Sequence, residues 1–67
     1  MILTIRVAQS ELEKVVGLEK QLQEISAIVE EIHPTKSFVP HPGKLVEFIN
    51  LLSKSGVEYG VAKRSDN

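Results

Sequence analysis

Apolar residues at Val15, Leu18, Leu22, Ile25, Val29 and Ile32 recur at alternating steps of three and four. That spacing fills a and d positions of a heptad over nearly three repeats, the pattern of a helix that packs along one seam. The preceding Ser10 and Glu13 have the spacing of a capping box, in which each side chain satisfies a backbone N–H that the first helical turn leaves open. Pro34 marks the far end, since it cannot donate to the helical ladder and disfavours helical geometry at His33. The spacing therefore predicts one amphipathic helix over 11–32, about 33 Å long at 1.5 Å per residue.

The chain has 67 residues. A compact domain of that size has a radius of gyration near 11 Å and spans roughly 28 Å, so such a stripe outruns what its own subunit can cover. The expectation is a homodimer with Val15, Leu18, Leu22, Ile25, Val29 and Ile32 at its interface. Leu12 and Val16 widen the stripe towards the chain's own strands, and Ile28 widens it towards the second helix or the partner. Small size points the same way. A core below about 70–80 residues rarely supplies more than roughly 3–5 kcal/mol without a disulfide, metal or partner, and the chain has no cysteine.

Around the long helix, residues 2–8 alternate Leu3, Ile5 and Val7 against Thr4 and Arg6, the period of a half-buried strand. All three prolines fall within 34–42, so 33–41 reads as an extended connector with Phe38 and Val39 pinning it to the core. A second helix is expected over 42–55, with Pro42 in its first turn, Leu45, Phe48, Ile49 and Leu52 as its stripe, and Gly56 as a left-handed stop. Val57, Tyr59 and Val61 alternate in a second strand over 57–63, followed by a polar tail over 64–67. The expected fold class is α+β, a single small β-α-α-β domain over 1–67 that dimerises through its long helix.

Composition narrows the function classes. Eight basic and nine acidic residues leave a net charge of −1, which removes the electrostatic drive towards nucleic acid or anionic lipid that a basic domain would have. The charge is mildly divided, −3 over 1–33 and +2 over 34–67. The first residues have no charged segment ahead of a long apolar run, so a secretory signal is not expected. No apolar run approaches the 18 or more residues of a spanning helix, and a cytoplasmic, membrane-independent protein is expected. The lack of cysteine is compatible with that reducing compartment.

Chemistry-bearing patterns are sparse. Glu30 and His33 form one E-x-x-H, the spacing that presents a carboxylate and an imidazole on one helix face in di-iron bundles. His41 brings a second imidazole across the connector, and two histidines with a glutamate are a minimal zinc set. Ser10, Ser53 and Ser55 are accounted for by helix ends, and Gly17, Gly43, Gly56 and Gly60 are isolated, so neither a nucleophile elbow nor a phosphate loop is present. Gly17 falls inside the expected helix, where it costs about 1 kcal/mol relative to alanine and offers a site for close backbone approach.

The segment LTIRVAQSELEKV resembles the opening of ribbon-helix-helix repressors over about 13 residues. The resemblance implies a first strand paired between two chains, with Thr4 and Arg6 reading bases in the major groove. The chain departs from that family where a short first helix and a glycine-containing turn should follow, because LEKQLQEISAIVEEI continues without one. The reading that remains is a non-enzymatic homodimeric interaction or regulatory module with no cofactor or metal, which binds another macromolecule, an unidentified protein partner. A repressor and a metal-dependent enzyme are the rival classes.

Overall fold

A computed structural model describes residues 2–64. Its elements are β1 (Ile2–Ala8), α1 (Gln9–Glu13), α2 (Leu18–Glu24), β2 (Ser26–Ile32), β3 (Thr35–Pro40), α3 (Leu45–Lys54) and β4 (Gly60–Arg64). The strands form one antiparallel sheet in the order β2-β3-β1-β4. The chain is thus an α+β domain with a four-stranded sheet, and its order is not β-α-α-β. Each strand-helix-strand passage skips over one neighbour, the connectivity of the ferredoxin-like, split β-α-β arrangement. That arrangement hosts many unrelated functions and by itself implies none.

The expected helix over 11–32 is not formed, and its interruption has local causes. Val15 and Val16, β-branched neighbours that lose side-chain freedom in a helix, sit in the turn after α1. Gly17 follows with φ +86°, a left-handed conformation that ends α1's course and starts α2. A Cβ built on Gly17 meets nothing within 4 Å, so its role is conformational and not the close approach inferred from sequence. At the other end of α2, the Ser26 hydroxyl donates to the Leu22 carbonyl at 2.6 Å, an i to i−4 side-chain bond that competes with the helical ladder. From Ser26 on the chain is β2, in which Ile28, Glu30 and Ile32 alternate with Val29 and Glu31. The stripe read as one seam is the sum of a helical and a strand periodicity.

Other boundaries also move. The Ser10–Glu13 capping box does not form: α1 starts at Gln9, its N-cap is Ala8, and no side chain caps it. The Gln9 amide is satisfied instead by the Pro34 carbonyl at 3.0 Å, after a cis His33–Pro34 peptide. The connector over 33–41 is largely strand β3; Phe38 is in the core as expected, whereas Val39 is buried on the opposite face of the sheet. Its prolines fit, because Pro34 lies in the β2–β3 turn and Pro40 is the last residue of the strand, where a missing donor is tolerated. Pro42 lies in a turn before α3 and not in its first turn. Helix α3 ends in the left-handed glycine stop expected at Gly56, whose amide bonds the Ser53 carbonyl at 3.2 Å while the Val57 amide bonds Leu52 at 3.0 Å. The second strand starts at Gly60 and not at Val57, and residues 65–67 of the expected polar tail lie outside the described residues.

All helices lie on one face of the sheet. Ile5 and Val7 of β1 and Phe38 of β3 point there and form one core with Leu12 of α1, Leu18 and Leu22 of α2, and Phe48 and Leu52 of α3. The Phe38 and Phe48 rings meet at 5.4 Å between centroids, tilted by 56°. Val57 seals the core where α3 ends. The radius of gyration, 11.0 Å, is that of a compact chain of this length.

Candidate functional site: the open face of the sheet

The residues expected to line a dimer seam do not share a face. Leu18 and Leu22 are in the chain's own core, Val15 and Ile25 are half-buried in the turns flanking α2, and Val29 packs from β2 against that core. Ile32 points to the opposite face of the sheet and is 63% exposed. Leu12 meets the core as expected, whereas Val16 is 99% exposed and touches no strand. Ile28 sits on β2, its side chain on the face away from the core.

Among the described residues no helix lies on that second face. Strand alternation places Ile2, Thr4 and Arg6 of β1 on it, Thr35, Ser37 and Val39 of β3, Ile28, Glu30 and Ile32 of β2, and Gly60 and Ala62 of β4. It has two zones. In the middle, Thr4, Arg6, Glu30, Ser37 and Ala62 help to line an open trough of about 520 Å³. At the end where β1 begins, Ile2, Ile28 and Val39 join the His41–Gly43 turn and Leu45 around an apolar groove of about 410 Å³. Thr4, Ser37 and Val39 are short central-strand residues sunk between longer neighbours, and they form the floor.

The rows across this face are set by register. Arg6 lies opposite Ser37 on one side and Gly60 on the other, and Ser37 in turn lies opposite Glu30. One line across the sheet therefore reads Glu30, Ser37, Arg6, Gly60. Thr4 and Arg6 do point outward, as the alternation of residues 2–8 requires. The ribbon that a repressor resemblance implies is not available, because both edges of β1 are paired within the chain, to β3 and to β4. Nor does this face present an aromatic ring among the described residues, and single-stranded nucleic acid binding relies on such rings for base stacking.

The metal-ligand patterns do not assemble. Glu30 is on a strand, so the E-x-x-H spacing does not put it on a helix face with His33. His33 is in the β2–β3 turn, its Nδ1 3.1 Å from Gln9 Oε1. His41 is beyond the other end of β3, roughly 20 Å away along an extended strand, where its amide bonds the Ile25 carbonyl at 2.9 Å. Among the described residues no group of three or more His, Cys, Asp or Glu is placed to hold a metal ion.

Among the described residues the one buried charge is on the helix side. Lys36 of β3 has its side chain 4% exposed and its Nζ 3.0 Å from Glu31 Oε1 and 3.2 Å from Glu19 Oε2. Burial pulls its pKa down, but the hydrogen bonds to Glu31 and Glu19 outweigh it and hold the ammonium above the usual lysine value. A lysine kept protonated in this way is a poor nucleophile or base; it ties α2 to β2 and β3. Sequence reasoning had no signal for it, since Glu19, Glu31 and Lys36 meet only through the sheet register.

Among the described residues no helix is long and apolar enough to cross a membrane. No family model matches the chain, and no curated protein or solved structure matches it either.

Proposed function

We propose that this chain is a non-enzymatic interaction module that self-associates, and meets its macromolecular partner, through the open face of its sheet. The observation that carries the reading is the uncovered second face of the four-stranded sheet, where Ile28 and Ile32 stand 40% and 63% exposed over a floor of short residues. Sheets of small domains gain stability when such a face is covered, and Ile28 and Ile32 add exposed apolar surface to it, although Val16, Val46 and Val61 are exposed elsewhere. The polar groups on this face are suited to recognition: a guanidinium, a carboxylate and one hydroxyl stand in one row. Homodimerisation is thus moved from the long helix to the sheet, while the class of function stays that of an interaction module.

Sedimentation equilibrium of the wild type and of Ile32→Lys tests this. The wild type should approach twice 7.4 kDa as concentration rises. Ile32→Lys should stay monomeric and melt as the wild type does when dilute, because its side chain lies outside the core. Equal association by both proteins would remove the open face from the interface.

A further inference from the structure

The open face is a ramp. Ile28, Glu30 and Ile32 raise it along the β2 edge, whereas Gly60 and Ala62 leave it low along the β4 edge. A Cβ built on Gly60 meets nothing within 4 Å, so the low edge is open space. Between the edges, Thr4, Ser37 and Val39 are buried and short, and Arg6 rises above them. We infer that this ramp docks on a second copy of itself, about a two-fold axis that runs parallel to the strands and between β3 and β1. The high β2 edge of each copy then fills the low β4 edge of the other. The inference rests on the open-face reading above and specifies its partner and geometry.

Coverage and shape select this axis independently. With the strand order β2-β3-β1-β4, a two-fold along the strands at the middle of the sheet sets β2 over the partner's β4 and β3 over the partner's β1. All four strands are in contact. Shifted over β3 the axis leaves β4 without a facing strand, and shifted over β1 it leaves β2 without one. Turned to run across the strands, it sets β2 over β2 and β4 over β4, so that the high edges collide and the low edges face each other across a gap. Close packing disfavours both.

Register fixes what meets what, because an axis along the strands keeps each row at its own height. The row of Ile28, Val39, Thr4 and Ala62 meets its equivalent, with Ile28 over the partner's Ala62 and Val39 over the partner's Thr4. In the next row, Arg6 stands over the partner's Ser37 and Glu30 over the partner's Gly60. Each long side chain faces a short one. The docking uses the bulk of Glu30 and requires no free carboxylate, since Glu30 is already engaged within its own chain. The two Arg6 stems flank the axis about one strand spacing, roughly 5 Å, apart, and each leans away from the other towards the open space above Gly60.

Packed sheets stand about 10 Å apart with strands within roughly 30° of alignment, a gap that a long side chain over a short one fills. Four strands of about six residues give a face of roughly 19 by 20 Å, on the order of 400 Å² a side. That is below the standard size of a stable interface, so association should need high protein concentration and depend on fit.

Two size changes at one contact, Ile28→Ala and Ala62→Ile, test the fit by sedimentation velocity. The first leaves a void over the partner's Ala62 and the second forces two isoleucines together, so each variant alone should self-associate at least about fivefold more weakly than the wild type. An equimolar mixture of the two should associate like the wild type, since both contacts of the mixed pair again join one isoleucine to one alanine. The combined variant Ile28→Ala/Ala62→Ile should recover as well, which guards against a folding defect in either single variant. A mixture no tighter than its components, or an Ala62→Ile variant that associates like its parent, would overturn this geometry while leaving the open-face reading to the Ile32→Lys result. A wild type that stays monomeric at the highest concentration would overturn both.

Discussion

Replacing Lys36 separates what its stem contributes from what its charge contributes. The side chain is 4% exposed and its ammonium lies between Glu31 and Glu19 at 3.0 and 3.2 Å. Lys36→Ala removes about three buried methylenes, each worth about 0.8 kcal/mol, so a loss of roughly 2–3 kcal/mol is expected before any relaxation. Lys36→Met keeps the stem and discards the charge. Buried ion pairs exchanged for apolar groups of similar volume are often neutral or better, and the expected change is within about 1 kcal/mol. The pair Glu19→Gln/Glu31→Gln leaves a buried ammonium with neutral partners. Its cost should fall below the roughly 3–5 kcal/mol of a sealed pair, because Glu19 and Glu31 are 46% and 65% exposed and water can reach the site.

Thermal melts at neutral pH read these values at about 4–8 °C per kcal/mol for a domain of this size, which gives Lys36→Ala a drop on the order of 10–20 °C. The pH dependence has a definite sign. The folded-state pKa of Lys36 lies above its ordinary value, so its proton-linked stabilisation is complete below the unfolded pKa and is lost as pH rises through the folded one. Lys36→Met should lack that alkaline loss. A Lys36→Met melt as depressed as that of Lys36→Ala would refute the claim that the buried stem carries most of the contribution. An Ala variant within about 3 °C of its parent would refute the burial itself.

Three further outcomes follow from the same structure. Leu22 is fully buried among core residues, so Leu22→Ala should cost about 2–5 kcal/mol and Leu22→Asp should unfold the chain at every protein concentration; a concentration-dependent rescue would place Leu22 at an interface. Gly17→Ala forces a Cβ into φ +86° and should lower stability by about 1 kcal/mol, measured by urea denaturation, whereas a neutral or stabilising result would argue for a continuous helix there. Arg6→Ala should melt like the wild type, since its side chain leaves the core face entirely; a large loss of stability would contradict the face assignment.

Elements defined by local chemistry were legible from the sequence. Alternation over 2–8 gives β1 with its faces correctly assigned, and the Gly56 stop and the Leu45–Leu52 stripe give α3. The middle of the chain was not, because Val15, Leu18, Leu22, Ile25, Val29 and Ile32 satisfy a heptad whether or not the backbone stays helical. The deciding signals were Val15-Val16-Gly17, which favours a break, and the alternation Ile28, Glu30, Ile32, which a strand uses equally well. β3 was obscured by its flanking prolines, although each sits where the ladder needs no donor. Of the candidate site, the outward direction of Thr4 and Arg6 could be read locally. The row that joins Arg6 to Ser37 and Glu30 could not, since it depends on pairing between strands far apart in sequence.

The most direct test of the central claim, that the open sheet face is the contact surface, is a dilution series of the ¹⁵N-labelled protein followed by amide chemical shifts. Concentration-dependent shifts should concentrate at Thr4, Arg6, Ile28, Glu30, Ser37 and Val39, with the amides of α2 and α3 unmoved. Shifts that map to the helical layer instead, or a spectrum that does not change with concentration, would contradict it.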